Sequence, residues 1–164
     1  MVSTFTVCYS PSEEMSLTNH VYVNPDDYDT EFMEIGEFPY HVSTCSNVPT
    51  GFIALNAVQR RAVGRRAGEP VEVTYMQRDF QTADTLVFSL ETLKPPHRTL
   101  RINNVSLQAL FEDEYQDCVF TKGQKHFFIY GDTTIIATCM TDGSNIITDD
   151  TVFQFISSND IDLI

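Results

Sequence analysis

Positive charge is scarce in this sequence and unevenly placed. Its 164 residues carry ten Lys and Arg against twenty-three Asp and Glu, for a formal net charge of −13. Residues 1–59 contain no Lys or Arg, and neither do residues 126–164. Such a balance repels polyanions, which sets aside nucleic acid and anionic membrane surfaces as partners of the chain as a whole. No apolar run approaches the roughly eighteen residues of a membrane span, so no direct membrane insertion is expected. The opening "MVSTFTVCYSPSEE" lacks the basic region and apolar core of a secretory signal. The four cysteines, Cys8, Cys45, Cys118 and Cys139, form no CxxC pair. They predict reduced, mostly buried thiols in a cytoplasmic protein, with Cys45 set apart in a polar loop.

Catalytic signatures are missing as well. No GxxxxGK[ST] loop, GxGxxG turn or HExxH pair occurs. The histidines His20, His41, His97 and His126 lack metal-ligand spacing and read as surface or satisfied core groups. "TDGSN" (Thr141–Asn145) has the composition of an aspartic-protease loop in the wrong order, and a polar turn is the better reading. Asp26-Asp27 and Asp149-Asp150 lie in turn-like stretches and read as solvated. No catalytic residue, metal site or cofactor is expected in this chain.

What is present is period-2 alternation, the mark of strands with one buried face. Strands are expected at Thr4–Ser10, His20–Asn24, Glu37–Thr44, Gly51–Asn56 and Val71–Tyr75, with "NPDDYDTE" as a turn. Ala57–Arg65 reads as a short helix with Asn56 as its N-cap, ended by Gly68 and Pro70. Several short strands around one helix suggest a compact β-barrel. Near Asp84 the pattern restarts. A strand is expected at Thr85–Leu93, and a helix over Val105–Cys118 with Leu107, Leu110, Phe111 and Cys118 on one face and Ser106 or Asn104 as cap. A hairpin turning at Gly131-Asp132 and a last strand "TVFQFIS" follow. The expected division is therefore 1–83, a barrel, and 84–164, an α+β unit.

The basic residues stand out against this background. "VQRRAVGRR" (Val58–Arg66) gathers Arg60, Arg61, Arg65 and Arg66, and Lys94, Arg98 and Arg101 follow the first strand of the second unit. On residue types alone, four arginines on a short helix are a solvated face, with Arg61 and Arg65 four apart and in reach of Glu69 or Glu72.

Three stretches together resemble the amino-terminal domain of the N-ethylmaleimide-sensitive fusion protein family, hexameric AAA ATPases that take apart SNARE complexes. They are "PSEEMSLTNHVYVNPDDY" (Pro11–Tyr28), "VPTGFIALNAVQRRAVGRRAGEPVEV" (Val48–Val73) and, more weakly, "LQALFEDEYQDCVFTKGQKHFFIYGD" (Leu107–Asp132). In the second, Gln59-Arg60-Arg61, Gly64, Gly68 and Val71-Glu72-Val73 fall in the family's register. The resemblance implies a mainly β chain: a double-psi β-barrel, then a small α/β subdomain, with a groove between them. It implies a non-catalytic domain that holds the acidic carboxy-terminal end of a SNAP adaptor and, through it, the SNARE complex. Arg60 and Arg61 match the family's basic pair and Lys94 a basic position after the next strand. Arg65, Arg66, Arg98 and Arg101 extend the two clusters.

The chain departs from the family where Trp-Ala-Gly-Leu is replaced by Ala62-Val63-Gly64-Arg65, which puts a cation at an apolar position. The second subdomain is shorter, and the ATPase modules are absent, so ATP and Mg are expected only there. The implied parent is a homohexamer, cytoplasmic and peripheral to vesicle membranes through its partners, and the isolated domain a monomer. Two other readings compete. One is the valosin-containing protein type of domain, which recruits ubiquitin-pathway cofactors; "SLTN" and "QRR" favour the fusion-protein branch. The other is an enzyme on the same barrel, which the lack of a catalytic motif disfavours.

Overall fold

The computed structural model describes residues 2–77, 80–116 and 118–164. The chain divides into two units, Met1–Asp79 and Phe80–Ile164. The first contains β1 (Val2–Tyr9), α1 (Glu13–Ser16), β2 (Val21–Val23), a 3-10 turn (Pro25–Asp27), β3 (Phe32–Ile35), β4 (Phe38–Thr44), β5 (Phe52–Leu55), α2 (Ala57–Val63) and β6 (Pro70–Met76). Its six strands close into a barrel in the order β1-β5-β2-β4-β3-β6, with β6 returning to β1. Two of the pairings are parallel: β1 with β5, from Thr6↔Phe52 to Tyr9↔Leu55, and β2 with β4, from Val21↔Val42 to Val23↔Thr44. The rest are antiparallel. The double-psi barrel implied by the resemblance is thus what the strands form.

Alternation explains the barrel's interior. Phe5 and Val7 on β1 and Val71 and Val73 on β6 turn inward, where they meet Val21, Val23, Met33, Ile35, Val42, Ile53 and Leu55. On β2, all three residues are buried, because Tyr22 turns outward into a second cluster with Cys45, Val48 and Ala54. Cys45 is therefore buried despite its polar neighbours in sequence; its N–H also bonds the Val23 carbonyl at 2.9 Å. β3 was not expected. It spans only four residues between an acidic turn and Gly36, too short for period 2 to register, and becomes a strand through its pairing with β4 and β6. α2 is shorter than expected and ends at Val63, because Gly64 adopts φ +68°.

The second unit holds β7 (Gln81–Thr82), β8 (Thr85–Thr92), β9 (Leu100–Ile102), α3 (Asn104–Tyr115), β10 (Val119–Thr121), β11 (Lys125–Tyr130), β12 (Thr133–Cys139), β13 (Ser144–Ile146), β14 (Val152–Ser157) and β15 (Ile161–Leu163). A four-stranded sheet, β11-β12-β8-β14, carries the core; smaller sheets pair β10-β13-β7 and β15-β9. Leu107, Phe111 and Tyr115, spaced by four on α3, bury one helical stripe, and Phe111 packs its ring on Phe88, Phe128 and Phe153 of the sheet. The cap of α3 is Asn103, whose side chain accepts from the Ser106 N–H at 3.0 Å, rather than Asn104 or Ser106. Because α3 ends at Tyr115, Cys118 lies beyond it, and the buried stripe is completed by Tyr115. The Tyr115 hydroxyl donates to the Phe127 carbonyl at 3.2 Å, giving a buried polar tip its partner.

Candidate functional site: the basic helix α2 and its supports

Asn56 and Gln59 fix α2 before any arginine enters. The Asn56 side chain accepts from the Gln59 N–H, and the Gln59 side-chain oxygen accepts from the Asn56 N–H, both at 2.8 Å, so two otherwise orphaned donors are satisfied reciprocally. The same two side chains reach the segment before β2. Asn56 Nδ2 donates to the Ser16 carbonyl at 3.1 Å, and Gln59 Nε2 to the carbonyls of Asn19 at 3.0 Å and His20 at 3.2 Å. Gln59 is 3% exposed, so these are buried, fully committed bonds. They require the chain to turn at Asn19, which takes φ +62°, the only positive φ at a described non-glycine residue. Asn is among the few side chains that tolerate this region.

The arginines then separate by role. Arg60 turns inward. It donates from Nη1 to the Leu55 carbonyl at 2.5 Å and lays its guanidinium 4.7 Å from the ring centroid of Tyr9, at the end of β1. Tyr9 itself is 68% exposed, so ring and guanidinium form a shared surface. Arg61 projects outward. The helix ends in a Schellman arrangement: the Arg65 N–H bonds the Arg60 carbonyl at 3.1 Å and the Gly64 N–H the Arg61 carbonyl at 3.3 Å. Arg65 is therefore past the helix, off the face of Arg61.

This overturns the expected pairing with Glu69 or Glu72. Arg65 Nε donates to the Pro70 carbonyl at 3.0 Å and Nη1 to the Gly64 carbonyl at 3.2 Å. Glu69 instead accepts from the Arg66 N–H at 2.8 Å. Arg65, where the resemblance implies a leucine, borders an open cleft of about 730 Å³ together with Val63, Val71, Glu34 and Glu72. The position remains at the surface, so a long cation is tolerated there without burial of its charge.

The second cluster lies in the other unit. Lys94 is exposed in the loop after β8 and borders a depression of about 350 Å³ with Pro95, Pro96 and Asp132. Arg98 is exposed in the same loop. Arg101 lies on β9 directly across from Asp162 on β15, with Nε–Oδ2 at 3.7 Å, so its charge is locally offset. Among the described residues, Arg61, Arg66, Lys94 and Arg98 have no carboxylate in ion-pairing reach, whereas Lys122 and Lys125 pair with Asp142 and Glu91.

Sequence separation hid one further arrangement. His20 and His41 are far apart along the chain, but the parallel β2–β4 register sets them side by side, with ring centroids 4.3 Å apart. His20 Nδ1 bonds the Ser43 hydroxyl at 2.8 Å, and His41 Nε2 lies 3.5 Å from a Glu31 carboxylate oxygen. Burial, and then the charge of His41, push the His20 pKa down to about 4. Among the described residues, no group of three His, Cys, Asp or Glu is placed to hold a metal.

No protein-family model matches the chain. Among curated proteins, a vesicle-fusing ATPase of Arabidopsis thaliana is 29% identical over a 149-residue alignment that covers 84% of this chain and 20% of that protein. The chain thus spans about one fifth of the length of the relative it matches, and the resemblance read from its sequence is borne out over most of its residues. No described helix is long and apolar enough to cross a membrane.

Proposed function

We propose that this chain is the non-catalytic amino-terminal domain of a vesicle-fusing ATPase, and that it holds the acidic carboxy-terminal end of a SNAP adaptor so that SNARE complexes can be disassembled. The observation that carries the reading is the construction of α2. Gln59 anchors it to the 16–20 segment, Arg60 is held against Tyr9 and Leu55, and Arg61 is exposed and unpaired among the described residues. Two of the three stretches that carry the family resemblance are thus bonded to one another, and their common product is an anchored helix presenting cations. Lys94 and Arg98 offer a second set of exposed charges, unpaired among the described residues. Opposite charges steer encounter and fix register, and exposed contacts of this kind are weak and salt-sensitive. Weak contacts repeated around a hexamer add avidity while permitting release.

In this reading the chain needs no metal or cofactor of its own, works in the cytoplasm, and reaches vesicle membranes through its partners. Arg101, offset by Asp162, contributes least of the seven proposed contacts, and Arg65 and Arg66 flank the contact made by Arg60 and Arg61. The test is binding of the purified chain to a SNAP–SNARE complex between about 50 and 300 mM salt, a range over which screening of exposed charges deepens. Affinity should fall steeply with salt and with Arg61→Glu. Undiminished binding by a variant lacking Arg60, Arg61, Lys94 and Arg98 rejects the site.

A further inference from the structure

We propose that the free edge of β14 is a docking site for an extended, basic segment of a protein partner, which adds to the four-stranded sheet as a fifth strand. It calls for a partner of opposite charge from the adaptor contact above. β14 is the last strand of the order β11-β12-β8-β14 and pairs only with β8 among the described residues. Its hydrogen bonds define which side is free. The Val152 N–H bonds the Asp84 carbonyl at 2.8 Å, and the Ser158 N–H the Leu90 carbonyl at 3.1 Å. By the alternation of a parallel ladder, residues 152, 154, 156 and 158 address β8, and Phe153, Phe155 and Ser157 turn their N–H and C=O groups away from it.

Proteins usually guard such an edge with a proline, a lysine, a bulge or a short strand. β14 has none of the first three and runs six residues in unbroken register with β8. Its side chains instead invite contact, since Val152 is 49% and Ile156 55% exposed on the same face. Strand addition draws affinity from main-chain bonds and specificity from alternate side chains, and both are provided here.

Charge selects the occupant. Residues 126–164 contain no Lys or Arg. Asp150 precedes β14, Asp160 follows it, and Asp84 lies opposite its start; all three are exposed and unpaired among the described residues. A second copy of this chain would bring the same acidic flanks and a further net charge of −13, which works against self-pairing. A segment with apolar residues at alternate positions and Lys or Arg at its ends fits both the edge and its flanks.

The synthetic peptide Lys-Lys-Val-Thr-Val-Thr-Val-Lys-Lys serves as probe, with a counterpart carrying Glu for every Lys. Titration should show saturable binding of the basic peptide alone, with slowed amide exchange at Phe153, Phe155 and Ser157. Ser157→Pro removes an outward N–H without touching the β8 ladder, and Ile156→Lys adds charge to the contact face. Each should weaken binding at least tenfold while circular dichroism is preserved, and Ile156→Lys suffices if the proline variant does not fold. The proposal is overturned by absence of saturable binding, by equal binding of the acidic peptide, or by affinities unchanged in both variants. A dimer in sedimentation that Ile156→Lys abolishes would also overturn it, by making a second copy the occupant.

Discussion

Gln59 Nε2 donates to the main-chain carbonyl of Asn19 at 3.0 Å, across forty positions of sequence. The bond joins "QRR" to "SLTN", the two segments that most resemble the fusion-protein family. Gln59 is therefore not a partner contact, although it stands beside two arginines that are proposed as such. It is the residue that sets where those arginines point.

Replacing Gln59 with Leu should leave the Asn19 and His20 carbonyls and the Asn56 N–H without the partner they have in a buried place. The expected cost is about 2–3 kcal/mol, which chemical denaturation would measure as a lower midpoint. Adaptor binding should fall as well, because α2 loses its anchor.

Arg60 and Arg61 should behave differently although they are neighbours. Arg60→Ala removes the Leu55 carbonyl bond and the stack on Tyr9, so about 1–2 kcal/mol of stability should be lost along with binding. Arg61→Ala should leave the melting temperature nearly unchanged and weaken adaptor binding alone. Calorimetry and a binding titration on the same two variants separate these outcomes.

Gly64 sits at φ +68° with open space where a Cβ would stand, so its requirement is conformational and not steric. Gly64→Ala should cost about 1 kcal/mol. It should also disturb the turn that carries Arg65, and thermal unfolding would show the loss.

Stability should also depend on pH through His20. Its folded pKa is near 4, below the ordinary value of 6.5. As pH falls from about 6.5 to 4 the unfolded chain takes up a proton that the folded one refuses, so this group's contribution to stability declines across that window, by up to about 3 kcal/mol. Above that window the group adds no slope. His20→Asn should flatten the difference in unfolding free energy between the two ends of the window, measured by urea titration.

Elements whose own residues repeat a period were legible in the sequence. β1, β6 and β8 alternate cleanly, the cap of α2 is written in Asn56, and Gly131-Asp132 marks the turn between β11 and β12. β3 and β15 are too short to show a period and exist because a neighbour pairs with them. The cap of α3 fell one residue early because Asn103 and Asn104 are chemically identical candidates, and only the position of the Ser106 N–H separates them.

Charge placement, strand periodicity and the clustering of arginine were set by the sequence itself, because each depends on residue identity and short spacing. How each arginine is held at the surface was decided only by tertiary structure. Arg60 is taken up by Leu55 and Tyr9, and Arg65 by Pro70, through groups that the barrel's parallel β1–β5 pairing and the turn at Gly64 bring into reach. The His20–His41 stack has the same origin: two residues distant in sequence become neighbours because a parallel register places them there.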